Sequence, residues 1–154
     1  MKMKKAILSV AITLLFACVA RAGDLDSITG FSQIVREHPG KVIVVDFWNT
    51  WCKACCKAMG DNEQLKTGRL HYKDIVWVYI ADESSPEADW KYLIRYFKGI
   101  HYRISKEQIV SLYEELGIDS LPSYILVTKD GKYEKRDDMR EQKTYIKAIK
   151  EAVK

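Results

Sequence analysis

Two short apolar runs, each the length of a β-strand, constrain the fold of this 154-residue chain most strongly. They are Val42 to Trp48 (VIVVDFW) and Ile75 to Ala81 (IVWVYIA), and both are rich in β-branched and aromatic residues. Apolar character without polar alternation is typical of strands buried on both faces by helices. A chain of this length corresponds to about one domain. The two runs therefore predict a single domain in which a sheet lies between helices.

The segments around these runs alternate between helix and strand signals. Ser85 is the predicted N-cap of the helix after the second run, with Pro86 at its first position. Ser105 and Gln108 form a capping-box pattern, and Gly117 is the predicted end of that helix. The order predicts an α/β fold with a mixed sheet. Helices are expected near residues 28–38, 52–66, 86–97, 105–116 and 140–153, and further strands at 101–104, 124–128 and 133–135.

The first 22 residues have the composition of an export signal. Three lysines precede an apolar run from Ala6 to Ala20, and Ala20-Arg21-Ala22 fits a small-x-small cleavage site. We therefore expect a signal peptide over residues 1–22 and a folded domain over residues 23–154. The segment holds four of the 25 basic residues and none of the 21 acidic residues, so the remaining chain has a formal charge of zero. A neutral domain argues against nucleic acid as the partner.

Export implies a compartment in which disulfide chemistry is possible. We expect a periplasmic or secreted protein after cleavage at Ala22. Leu15-Phe16-Ala17-Cys18 also approximates a bacterial lipobox, so a membrane-anchored lipoprotein acylated at Cys18 is the alternative.

Three of the four cysteines lie within five residues, at Cys52, Cys55 and Cys56. This crowding does not suit a structural disulfide framework, which joins distant loops. A Cys-x-x-Cys pair where a strand passes into a helix places the first thiol at the helix N-terminus, where backbone N–H groups stabilise a thiolate. The second thiol lies one turn further and can reach back. The spacing predicts a reversible disulfide in which Cys52 attacks a substrate disulfide and Cys55 resolves the mixed intermediate.

Two motifs together resemble the thioredoxin superfamily, and within it the exported thiol-disulfide oxidoreductases of the TlpA and ResA type. The motifs are Val45 to Cys55 (VDFWNTWCKAC) and Ser120 to Tyr124 (SLPSY). The resemblance implies a thioredoxin-like three-layer α/β/α sandwich with a mixed central sheet. It also implies an inserted helix-strand segment, which corresponds here to Asp82 to Ser111.

The resemblance also assigns roles to residues outside the Cys-x-x-Cys pair. Pro122 is expected to be the cis-proline beside the active site, Leu121 to pair with substrate through its backbone, and Trp51 to contact substrate. Asp46 matches the buried carboxylate that accepts the proton of the resolving cysteine. An acid inside a buried strand should have a raised pKa suited to this role, although a carboxylate that reaches water at the strand end is the alternative.

The implied activity is that of a protein-disulfide oxidoreductase. No cofactor is expected, because electrons pass through the cysteines. The expected partners are protein thiols or disulfides and a membrane or periplasmic redox partner that recycles the enzyme. Whether the enzyme reduces, oxidises or isomerises stays open.

Two other functional classes are weighed against this one. Cys52, Cys56 and His101 would suit copper, as in a thioredoxin-fold metallochaperone. The fold could also serve as a non-catalytic protein-binding module, although such a module needs neither thiol of the Cys-x-x-Cys pair. We expect no metal site, and we expect Cys56 to be a buried and unreactive thiol.

Overall fold

The computed structural model describes residues 25–154. The expected signal peptide, its cleavage site after Ala22 and the lipobox cysteine Cys18 lie outside the described residues. None of the helices within residues 25–154 is long and apolar enough to cross a membrane.

A five-stranded mixed sheet forms the centre of the described chain, in the order β3-β2-β1-β4-β5. β1 pairs in parallel with β2, and β2 with β3, whereas β4 runs antiparallel to both β1 and β5. Its strands are β1 (Val42–Phe47), β2 (Ile75–Asp82), β3 (Ile100–Ile104), β4 (Ser123–Val127) and β5 (Tyr133–Lys135). The two apolar runs therefore form neighbouring strands at the centre of the sheet, as the sequence predicts.

Helices cover both faces of the sheet. Side chains of α1 and α4 share one buried cluster with Ile43, Val45 and Phe47, whereas α2, α3 and α5 contribute to the clusters on the other face. The helices are α1 (Phe31–Glu37), α2 (Lys53–Thr67), α3 (Glu87–Leu93), α4 (Lys106–Leu116) and α5 (Gln142–Ala152). The alternation of inward side chains along β1 thus gives three layers, and the expected thioredoxin-like α/β fold is confirmed.

The ends of α4 form as their residue types predict. Ser105 Oγ accepts from the Gln108 backbone N–H, and the Gln108 side chain accepts in return from the Ser105 backbone. Gly117 ends the helix in the left-handed conformation at φ 66°, which glycine adopts without steric cost.

The predicted N-cap of α3 is wrong. Pro86 occupies the N-cap position, and no side chain in the described part of the chain caps the helix. The Ser85 hydroxyl is instead buried and bonded to Asn49 and Thr50, as described below. The helix also ends earlier than its apolar spacing predicts, at Leu93, and a 3-10 turn (Ile94–Tyr96) follows it. At the C-terminus, Glu141 caps α5, which begins two residues after the predicted start.

Candidate active site

A disulfide bond joins Cys52 and Cys55 at the junction between β1 and α2. The two Cα atoms are 5.2 Å apart. Cys52 is the N-cap residue of α2, and its Sγ accepts a hydrogen bond from the Cys55 backbone N–H at 3.2 Å. The sulfur of Cys52 therefore lies where the unpaired N–H groups and the dipole of a helix stabilise a negative charge.

The two cysteines differ in how deeply they are buried. Cys52 is 8% exposed, whereas Cys55 is fully buried on the inner face of α2. The surrounding cluster is apolar and includes Trp48 and Met59. Because a disulfide substrate must reach the attacking sulfur directly, Cys52 is the better placed of the two to meet it.

The carboxyl group of Asp46 is buried in the central strand. Its side chain is only 4% exposed, and Oδ1 has no hydrogen-bond partner among the described residues. Burial raises the pKa of Asp46 well above its usual value, and the positive charge of Lys66 partly opposes this effect. The alternative prediction, a carboxylate that reaches water at the end of the strand, is wrong because Asp46 is buried.

The loop before β4 borders the disulfide. Its Leu121–Pro122 peptide bond is cis, as the resemblance implies. Trp51, Cys52 and Leu121 line one groove of about 320 Å³. The indole of Trp51 is 60% exposed. The structure thus brings together Cys52 and two of the residues expected to contact substrate.

Arg140 forms hydrogen bonds with this loop at two residues. Its Nε donates to the Pro122 carbonyl at 2.8 Å, and one of its terminal nitrogens donates to Ser120 Oγ, also at 2.8 Å. Sequence reasoning did not identify Arg140, because the contacts span 18 and 20 residues. No local pattern in the sequence points to them.

Asn49 anchors the segment that leads into the disulfide. The residue is buried, and its Nδ2 donates to Asp82 Oδ2 at 2.8 Å. Its Oδ1 accepts from Ser85 Oγ at 2.8 Å and from the Asp82 backbone N–H at 3.1 Å. Ser85 Oγ in turn accepts from the Thr50 backbone N–H at 3.0 Å. We call this set, Asn49, Thr50, Asp82 and Ser85, the loop clip.

Sequence reasoning also missed the loop clip. One feature of the sequence could have indicated it, namely an asparagine directly after a buried apolar run. A buried side-chain amide needs several hydrogen-bond partners, so such an asparagine predicts a hydrogen-bond network around it. The sequence alone does not say where those partners lie.

Cys56 and His101 lie in separate environments. Cys56 is half-buried, and its Sγ is 3.8 Å from the Thr50 carbonyl oxygen. Burial is the main cause that raises the pKa of its thiol, and Asp46 adds a smaller contribution. The His101 ring stacks on Tyr79 at 4.8 Å, and its Nε2 lies 2.7 Å from the Phe97 carbonyl oxygen. Across residues 25–154, no three His, Cys, Asp or Glu side chains are arranged to hold a metal ion.

Comparison with known proteins agrees with this geometry. Residues 40–133 match the family model described as thioredoxin-like. The chain is 28% identical over 141 residues to thiol-disulfide oxidoreductase ResA of Halalkalibacterium halodurans, which covers 82% of this chain and 77% of ResA. It is 31% identical over 107 residues to Protein SUPPRESSOR OF QUENCHING 1, chloroplastic, of Arabidopsis thaliana, covering 65% of this chain but only 10% of that protein.

Among solved structures, the fold is similar to the thioredoxin domain of a thiol-disulfide oxidoreductase from Bacteroides vulgatus. The TM-score is 0.62 at 24% identity, and the similarity covers 76% of this chain and 83% of the other. Since the family match spans more than half of the sequence and the fold agrees, the chain belongs to the thioredoxin-like family.

Proposed function

We propose that the protein is an exported thiol-disulfide oxidoreductase that exchanges electrons with protein thiols and disulfides through Cys52 and Cys55. The observation that carries the proposal is the Cys52–Cys55 disulfide, in which Cys52, the less buried of the two residues, caps α2 and lines the groove with Leu121. The similarity to ResA, a thiol-disulfide oxidoreductase, supports the same reaction class.

In the reducing direction, the Cys52 thiolate attacks one sulfur of a substrate disulfide. A Cys52–substrate S–S bond forms, and the substrate's own S–S bond breaks. The second substrate sulfur leaves with the electron pair as a thiolate and takes a proton from water. The helix N-terminus stabilises the Cys52 thiolate and so favours this first step.

The second step needs a deprotonated Cys55. Its thiol gives its proton to the Asp46 carboxylate, and the resulting thiolate attacks the Cys52 sulfur. The Cys52–Cys55 bond forms, the mixed disulfide breaks, and the second substrate thiolate leaves. Two electrons have then passed to the substrate. Oxidation of a substrate dithiol follows the same steps in reverse.

Trp51, Leu121 and Pro122 are proposed to contact the substrate, because they line the groove that contains Cys52 or lie in the loop beside it. A membrane or periplasmic thiol protein is proposed to restore the starting redox state after each turnover. Export is supported by the basic and apolar N-terminal 22 residues and the Ala20-Arg21-Ala22 site.

The proposal predicts that a Cys55→Ala variant accumulates mixed disulfides with substrate proteins. Without the resolving thiol, the Cys52–substrate bond persists. The full chain would be expressed in a bacterium and thiol-disulfide exchange stopped with acid. Free thiols would then be alkylated in denaturant near neutral pH, where they form thiolates, and adducts separated on non-reducing gels. Peptide mass mapping should place every adduct at Cys52.

The matched control is the Cys52→Ala/Cys55→Ala variant, which keeps Cys56 and should form no adducts. Adducts through Cys56, or none in Cys55→Ala, would contradict the assignment. The same mapping reads the N-terminus of the trapped chain. A start at Gly23 supports cleavage, an acylated Cys18 supports the lipoprotein alternative, and a start at Met1 contradicts removal of a signal peptide.

A further inference from the structure

The loop that leads into β4 is tied at both ends to one short segment near the C-terminus. This loop, residues 117–123, begins at Gly117, which ends α4, and reaches Ser123, the first residue of β4. We call it the proline loop. Lys135 Nζ donates to the Gly117 carbonyl oxygen at 2.7 Å, and Ser123 Oγ donates to Asp137 Oδ1 at 3.2 Å. The segment between β5 and α5 therefore fixes where the proline loop starts and where it stops.

Arg140 belongs to the same segment and contacts the middle of the proline loop. Its Nε donates to the Pro122 carbonyl oxygen at 2.8 Å, and one terminal nitrogen donates to Ser120 Oγ at 2.8 Å. That nitrogen also lies 3.5 Å from Asp137 Oδ1. A guanidinium is planar and its donors point in fixed directions. Two contacts from this one rigid group therefore restrain the position of Ser120 relative to Pro122.

Leu121 lies between the two residues that Arg140 contacts. Within residues 25–154, neither its backbone N–H nor its backbone C=O forms a hydrogen bond. Leu121 and Cys52 line the same groove. An extended peptide binds to a protein by pairing its backbone with unpaired N–H and C=O groups of this kind. Leu121 is therefore a free pairing position beside the disulfide.

The turn that carries Arg140 is anchored in the protein interior. It is the 3-10 turn Asp137–Arg140, and its Met139 is only 1% exposed and belongs to the same buried cluster as Tyr124 of β4. Just before the turn, the backbone N–H of Arg136 donates to the Tyr124 carbonyl oxygen at 2.8 Å. The guanidinium of Arg140 thus extends from a backbone that is itself fixed to β4.

We propose that Arg140 is a positioning residue that holds the proline loop so that the backbone of Leu121 can pair with an extended segment of a protein substrate beside Cys52. Its effect should be specific to protein substrates, because a small disulfide needs only the sulfur of Cys52. The inference rests on the proposed thiol-disulfide exchange at Cys52 and deepens it by naming what presents the substrate-binding backbone.

The test compares Arg140→Met with Arg136→Met in the full chain, with the active-site disulfide reduced. Arg136 lies four residues away, but its side chain pairs with Glu134 and Asp138 and forms no hydrogen bond with the proline loop within residues 25–154. Rapid mixing gives the second-order rate constants for two disulfides. Insulin is the protein substrate, and bis(2-hydroxyethyl) disulfide is a small uncharged one. The ratio of the two rate constants is the readout.

Arg140→Met should lower the rate constant for insulin by about tenfold or more, because misplacing a contact by one ångström can cost up to about a hundredfold. The rate constant for the small disulfide should fall far less, so the ratio falls. Nitrogen-15 relaxation should show larger motions at the Leu121 amide of Arg140→Met. Arg136→Met should change neither the ratio nor the Leu121 motions. A general loss of stability would slow both reactions alike and leave the ratio unchanged.

An unchanged ratio in a folded Arg140→Met variant, or an equal fall in Arg136→Met, would overturn the proposal. Arg140→Lys keeps the positive charge but not the planar set of donors, so its ratio should fall as well. A ratio equal to that of the unaltered protein would assign the effect to charge and contradict positioning. This variant also replaces Arg140→Met if the latter does not fold.

Failure of the proposed function appears separately, as an unaltered protein that reacts with neither disulfide. The relaxation data then decide the structural part of the proposal. Leu121 motions that are the same in Arg140→Met and in the unaltered protein would contradict the claim that Arg140 holds the loop.

Discussion

At the scale of single residues, burial in the folded protein favours the protonated form of the Asp46 carboxyl group. The unfolded chain loses this proton at a pH near 4, whereas burial raises the pKa in the folded state. Between these two values the folded state holds the proton and the unfolded state does not. The free energy of unfolding therefore falls as the pH rises through this window.

Replacement of Asp46 by Asn should remove this pH-dependent loss. Asp46→Asn is predicted to raise the melting temperature at neutral pH, with a gain that vanishes below a pH of about 4. Thermal unfolding of the oxidised protein across the pH range measures this effect.

Asp74 provides the opposite case as a control. Its side chain is exposed, and an ion pair with Lys41 lowers its pKa. Stability from this pair is present above the ordinary pKa of aspartate and is lost as the pH falls through the lower folded-state value. Asp74→Asn should therefore give no gain at neutral pH. A stability gain in Asp46→Asn that does not change with pH would contradict burial of an ionisable group as its cause.

At the scale of elements, the loop clip ties the segment before Cys52 to the segment between β2 and α3. Ser85→Ala removes the hydroxyl that donates to Asn49 and leaves the Thr50 N–H without its partner. An unsatisfied buried polar group costs about 1 to 3 kcal/mol. We predict a loss of stability in that range and a slower attack by Cys52, measured by denaturant unfolding and by the rate of substrate reduction.

The matched control is Ser84→Ala at the neighbouring position. Ser84 is exposed, and within residues 25–154 its hydroxyl accepts a hydrogen bond only from Trp51 Nε1, at 2.9 Å. The change should cost less than about 0.5 kcal/mol. Equal losses in the two variants would show that the buried contacts of Ser85 do not stabilise the loop.

The helices and strands also show which structural features can be predicted from sequence patterns alone. β1 and β2 follow from continuous apolar runs, and the ends of α4 from local capping residues. The start of α3 was mispredicted because Ser85 has the right residue type for a cap but makes a tertiary contact with Asn49, 36 residues away. Helix-capping propensity depends on residue type and on neighbours along the chain, so it does not predict that a distant residue will bind the Ser85 hydroxyl.

At the scale of the whole molecule, the sheet order brings the parts of the site together. β1 lies between β2 and β4, so Cys52, which follows β1 as the N-cap of α2, meets the Leu121–Pro122 loop that leads into β4. Spacing alone predicted the Cys52 and Cys55 pair, and the resemblance indicated Asp46 and Pro122. Lys66 was missed because a lysine at the end of a helix is ordinarily exposed. Arg140 was missed because its partners, Pro122 and Ser120, lie 18 and 20 residues away in the sequence.

The central claim is that Cys52 and Cys55 form a reversible two-electron couple. A glutathione redox titration, with alkylation and mass mapping of each cysteine, tests it most directly. We predict that both thiols change state together with a midpoint between about −270 and −120 mV, the range of this superfamily, and that Cys56 stays free throughout. Separate transitions for Cys52 and Cys55, or a disulfide that includes Cys56, would contradict the account.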